Sequence, residues 1–169
     1  MTPEERDLIR ALMVIPGGAP AVSPQSVLTA FGVVNGAQLV HRLVSEALAV
    51  ESWVDVETAM IAAATFGMPV DLVDPLIRLV EADWHHCHED ITWWLGELAA
   101  PRAVPALLGA AERIPDYLEL DESRALGRKA IHALGRIPGP EATQALVRLS
   151  CSDDSRLASV ARRQLESRL

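Results

Sequence analysis

Aromatic residues make up only 4% of the 169 positions, and cysteine is nearly absent, with Cys87 and Cys151 alone. Strands of a sandwich or barrel draw on aromatic and β-branched residues. Here the apolar half of the sequence is mainly Ala, Leu and Val, which suits helices packed closely through small side chains. The two cysteines lie far apart and form neither a metal-binding nor a redox spacing, so both are expected as reduced thiols, Cys151 near a repeat boundary. The opening MTPEERD lacks the basic start and apolar run of a secretory signal. The longest apolar stretch is broken by Gly67 and Pro69, so a cytoplasmic protein with no membrane partner is expected. A chain of 169 residues, half of them apolar, is long enough for one domain with a continuous core.

What the chain has in quantity is a repeated helix-turn phrase: FGMPVDLVDPLIRLV at 66–80, LAAPRAVPALLGAA at 98–111 and IPGPEATQALVRLS at 137–150. Each reads as a helix end, a proline-marked turn and a second amphipathic helix. Aligning Leu76, Leu107 and Leu146 gives intervals of 31 and 39 residues, the longer one reflecting an inserted connection, PDYLELDES. Helix pairs at this period predict an all-α, right-handed solenoid in which neighbours stack to bury stripes that no helix buries alone.

The remaining segments fit that plan. PEERDLIRALMVI places Leu8, Leu12 and Ile15 at helical spacing and breaks at Pro16-Gly17-Gly18, reading as a cap helix. Ser23 before Pro24 is an N-cap, and Gly32 closes that short helix. From Gly36, Leu39, Val40, Leu43, Val44, Ala47 and Leu48 form one apolar stripe, and the alanine-rich stretch 55–66 is expected to be buried nearly all round. A further helix is expected from His88 through Ile91, Trp94, Leu95 and Leu98, followed by one over 103–114. The third copy opens with a helix carrying Leu126, Ala130, Ile131, Leu134 and Ile137. Ser155 to Leu169 reads as a closing cap with a polar outer face. The expected organisation is one domain over 1–169: capping helices at 1–51, repeats at 52–153 and a final cap helix at 154–169.

Net charge is −8, unevenly spread. Residues 1–90 hold 13 acidic and 4 basic side chains, whereas residues 91–169 hold 10 acidic and 11 basic. An acidic first half repels nucleic acid and anionic membrane and attracts a basic protein. Asp71, Asp74, Glu81 and Asp83 are the acids expected to meet such a partner, although solvated helix faces carry similar charge without one. Arg124, Arg128, Lys129 and Arg136 are crowded by Glu119, Asp121 and Glu122 and lack interleaved aromatic residues, which argues against nucleic acid.

LGELAAPRAVPALL and ALGRIPGPEATQALVRL resemble the HEAT-like repeats of bacterial proteins and phycobilisome lyases, a likeness over roughly 52–169. Trp84-His85-His86-Cys87-His88-Glu89-Asp90, with the later Asp116-Tyr117-Leu118-Glu119-Leu120-Asp121-Glu122, resembles a family of small bacterial HEAT-repeat proteins carrying WHHxHED and DYLxxDE phrases. That resemblance implies a binding module, in some members an immunity protein that neutralises a toxin encoded beside it. His88-Glu89 ahead of LGELAAPRAVPAL is also similar to one His-Glu motif of deoxyhypusine hydroxylase, a HEAT-repeat di-iron enzyme. That family requires several such pairs, and this chain has Glu57-Thr58 and Gly127-Arg128 near the equivalent positions.

Three histidines, a cysteine and two acids within 85–90 invite a metal reading, with His85, His88 and Glu89 as the candidate ligands and His132 as the nearest further histidine. The alternative is structural: imidazoles satisfying backbone groups at a helix entrance, with Glu89 and Asp90 at the positive end of the helix dipole. Helical geometry sets Trp93 off the stripe of Ile91, Trp94, Leu95 and Leu98, so it is either covered by the next repeat or displayed as an anchor. The expected function is non-enzymatic protein binding without a cofactor, most concretely as an immunity protein that blocks a basic toxin. The acids named above, with His86, Glu89, Asp90, Trp93, Tyr117 and Asp121, would form the contact surface. A metal-dependent HEAT-repeat enzyme and a general adaptor are the alternatives.

Overall fold

Thr2, Ser23, Asn35, Ser52 and Asp154 each sit in extended backbone with a side-chain oxygen accepting an N–H of the following turn, and a helix begins behind each. The computed structural model describes residues 1–13 and 18–168, so the expected Ile15 contact and the Pro16-Gly17 break lie outside the described residues. Among the described residues the architecture is all-α: α1 (Pro3–Arg10), α2 (Pro24–Phe31), α3 (Gly36–Ala49), α4 (Trp53–Phe66), α5 (Val73–Glu81), α6 (His88–Leu98), α7 (Val104–Glu112), α8 (Ala125–Arg136), α9 (Pro140–Ser150) and α10 (Ser155–Glu166). The Ser23-Pro24 start and the Gly32 stop are as expected, Gly32 taking the left-handed conformation at φ 64°.

The repeated phrase is a helical repeat in three dimensions. In its first two copies a 3₁₀ turn, Val70–Leu72 or Pro101–Ala103, leads into the second helix. In the third, Gly139 at φ 104° precedes Pro140 at the first helical position. The aligned leucines Leu76, Leu107 and Leu146 are all fully buried.

The chain divides into two compact units, Met1–Pro75 with Trp84–Cys87, and Leu76–Asp83 with His88–Leu169. In the first, α3 packs on α4, and α1 on both α2 and α4. Leu39, Val40, Leu43, Val44 and Ala47 are completely buried. The stretch 55–66 is less enclosed than expected: Glu57, Ala64 and Thr65 are exposed, because α4 meets neighbours on only part of its circumference. This unit also holds a buried carboxylate. Asp55 accepts hydrogen bonds from Arg6 Nε at 2.7 Å and from the Met1 ammonium at 3.2 Å.

In the second unit α8 is central, packed by α6, α7, α9 and α10. Gly96 on α6 permits close approach: a Cβ there would stand 2.9 Å from both Cα and Cβ of Ala133 on α8. Among the described residues no single helix is long and apolar enough to cross a membrane. The bent pair α2 and α3 passes that test only when the two are taken together.

Candidate functional site

The WHHCHED segment is built into the fold. His85 is buried, accepts the Cys87 N–H at Nδ1 over 3.1 Å and meets the Trp84 ring edge-on at 5.0 Å. His88, also fully buried, opens α6. Its Nε2 lies 2.7 Å from the Ala82 carbonyl, which can only accept, so Nε2 carries a proton. In the neutral ring Nδ1 then accepts from the Tyr117 hydroxyl, 3.0 Å away. The Tyr117 ring stacks on the imidazole at 5.6 Å. Both ring nitrogens of this candidate ligand are therefore engaged with the protein. Among the described residues no group of three or more His, Cys, Asp and Glu side chains is arranged to hold a metal.

Tyr117 belongs to the 115–124 connection, which this contact braces from one side. Asp121 braces it from the other, accepting from the Ser123 hydroxyl and N–H and from the Ala125 N–H at the start of α8. The Ser123 hydroxyl first, then the Ala125 N–H, hold the Asp121 carboxyl below its ordinary value. Between these fixed points Leu120 is 92% exposed, with Ile114 and Tyr117 partly exposed and Asp116, Glu119 and Glu122 at the surface.

Glu89 and Trp93 lie one turn apart on α6, and Glu97 one turn further. Glu89 pairs with Lys129 at 2.7 Å, and Glu97 pairs with Arg136, so the two acids tie α6 to α8 on either side of Trp93. Trp93 is 46% exposed and edges the Trp94 ring at 4.5 Å. Beside it runs a groove of about 190 Å³ lined by Gly96, Lys129, His132, Ala133 and Arg136. Burial first, then the charges of Arg128 and Arg163, push the His132 imidazole below its ordinary value, so it is neutral near pH 7.

The other expected contact residues lie at the surface of their own units. Asp71, Asp74, Glu81, Asp83, His86 and Asp90 are exposed, with Asp71 3.6 Å from His41. Asp90 and Glu89 occupy the first turn of α6, where the helix dipole favours them.

Sequence reasoning missed a recurrent arginine device. Arg113 donates to the Val80, Glu81 and Ala82 carbonyls at the end of α5. Arg124 donates to Ala111 and Glu112 at the end of α7, Arg162 to Ser150 at the end of α9, and Arg168 to Leu134, Gly135 and Ile137 at the end of α8. Each guanidinium satisfies orphan carbonyls at the negative end of a helix dipole. Arginine near a repeat boundary was the available signal, but its acceptors lie 12 to 34 residues earlier.

Residues 89–113, which run from α6 through its turn into α7, match the family model of the PBS lyase HEAT-like repeat. The match is narrower than the likeness read over 52–169. No curated protein matches the chain. Together with the helix pairs, the match supports an all-α helical-repeat fold similar to HEAT-like repeats, which commonly act as protein-interaction modules.

Proposed function

We propose that this chain is a non-enzymatic protein-binding module whose 115–124 connection contacts a basic protein. The observation that carries this reading is Leu120, 92% exposed in a connection anchored by the His88–Tyr117 contact and by Asp121. An apolar side chain held in water by a braced loop is suited to an interface centre. The exposed acids Asp116, Glu119 and Glu122 around it suit a basic rim on the partner. The excess of acids in residues 1–90 adds long-range attraction for the same charge class.

In its most concrete form this is an immunity protein, acting in the cytoplasm against a basic toxin encoded in a neighbouring reading frame. The motive for that step is the WHHCHED and DYLELDE resemblance together with the charge. Co-expression with the neighbouring product tests it: the two should copurify, and toxicity should be relieved. Leu120→Ser, or charge reversal at Asp116, Glu119 and Glu122, should abolish both effects while the variant's melting curve stays within a few degrees of the parent. Failure to copurify, with persistent toxicity, overturns the immunity reading. Copurification that ignores these substitutions moves the interface away from the loop.

A further inference from the structure

Arg156, in the first turn of α10, differs from the four capping arginines in where its donors go. Its Nη1 donates to the Glu122 carbonyl, 34 residues earlier and inside the 115–124 connection rather than at a helix end. The Glu122 N–H in turn donates to the Leu120 carbonyl at 3.0 Å. Through Nε the same guanidinium donates to Asp154 Oδ1 at 3.1 Å, and Asp154 is the N-cap of α10, accepting also from the Arg156 N–H. A chain of hydrogen bonds therefore runs from Leu120 through Glu122 and Arg156 to the start of a helix packed on α8 and α9. Asp154 also stands 3.8 Å from Arg124, which takes the left-handed conformation at φ 55° where the connection enters α8 and donates to the Ala111 carbonyl at the end of α7. One carboxylate thus steadies two guanidinium groups, and both act on residues 122–124.

We propose that Arg156 is a positioning residue for the Leu120 surface: it clamps the second limb of the connection to the start of α10 and so fixes how Leu120 is displayed. The proposal rests on the reading of the connection as the protein-binding surface, and it adds a residue outside that connection on which binding depends. The first limb is held by Tyr117 on His88. Asp121 shapes the turn from within, but its bonds to Ser123 and Ala125 span at most four residues and do not fasten the limb to the neighbouring helices. Arg124 and Arg156 supply that attachment. An arginine suits the place because its planar fork reaches Asp154 and Glu122 at once. A loop that spends only part of its time in the binding-competent conformation binds more weakly by that fraction. The Arg156 side chain is 53% exposed and contributes little to the core, so its loss reports on the connection rather than on the fold.

The test uses the full chain and a glutamyl endopeptidase, which cuts after glutamate and meets Glu119 and Glu122 in the connection and Glu141 in the first turn of α9. Native-state cleavage follows the population of the opened segment. Arg156→Met keeps the aliphatic stem and loses the donors. It should raise cleavage after Glu119 and Glu122 about tenfold relative to Glu141, with the melting midpoint within a few degrees of the parent. Arg156→Lys should restore part of the protection, since one ammonium cannot reproduce the fork. Against the product of the neighbouring reading frame, Arg156→Met should slow association about threefold and leave dissociation unchanged, whereas Leu120→Ser should speed dissociation. Cleavage in the connection no faster than in the parent, or accelerated alike at Glu141, overturns the proposal. Association at the parent rate also overturns it, as does a change confined to dissociation, which would make Arg156 a contact. If cleavage responds as expected and even the parent chain fails to bind the product, the clamp stands and the immunity reading falls.

Discussion

The Tyr117 hydroxyl and the Nδ1 of His88 are 3.0 Å apart across 29 residues of sequence, and they join the WHHCHED segment to the DYLELDE segment. Ala82 completes the set, its carbonyl receiving both His88 Nε2 and Arg113 Nη2. The imidazole thus ties the end of α5, the start of α6 and the inserted connection together. Tyr117→Phe removes one hydrogen bond at a partly exposed site and should cost about 1 kcal/mol in urea unfolding. His88→Ala also leaves a cavity and an under-satisfied carbonyl, and should cost roughly 3 kcal/mol. Equal effects of the two substitutions would show that the ring's contact with Ala82 adds nothing.

Arg168 should matter more than its place near the end of the chain implies. Its guanidinium reaches the Leu134 carbonyl at 2.5 Å, Ile137 at 2.6 Å and the Thr143 hydroxyl at 2.9 Å. Arg168→Ala should destabilise by about 2 kcal/mol, since charge-assisted bonds to several carbonyls are lost together. Arg168→Lys should recover only part of this, because one ammonium cannot reproduce the planar fork.

Two helical glycines should respond in opposite directions to alanine. At Gly96 the new methyl would stand 2.9 Å from the Ala133 backbone, so α6 and α8 must separate, at a cost of about 1 to 3 kcal/mol. At Gly109 nothing lies within 4 Å, and Gly109→Ala should stabilise α7 by about 0.5 to 1 kcal/mol. Thermal melts of the two variants, displaced to opposite sides of the parent, check the pair.

Acid stability should depend on Asp55. Burial alone would push its carboxyl up; the hydrogen bond from Arg6, then that from the terminal ammonium, outweigh burial and hold it below the ordinary value. A depressed folded value means the unfolded chain binds the proton first as pH falls. The contribution is therefore present in full above about pH 4, the unfolded value, and is lost as pH drops through the folded one. Asp55→Asn should destabilise the fold at neutral pH, because the buried carboxylate that accepts from Arg6 and the terminal ammonium is lost, and should flatten the acid limb of the stability profile below about pH 4.

Much of the helical layout was legible because its signals are local. Ser23 with Pro24, Gly32 and the Leu39 to Ala47 stripe are set by capping chemistry and by a period of 3.6, and the structure places them as read. The three buried leucines of the repeated phrase follow from the same periodicity. Trp93 was legible as off the stripe, but the sequence could not say whether it is covered, since that depends on how closely α8 approaches through Gly96 and Ala133.

The chain alone therefore determined its helices, their buried faces and their repetition, because each depends on neighbours within a few residues. Tertiary structure alone decided what the polar side chains beyond the helix caps do. His88, Tyr117, Asp55 and the four capping arginines find donors or acceptors 6 to 54 residues away, and a guanidinium is equally at home in solvent until a helix end is brought to it.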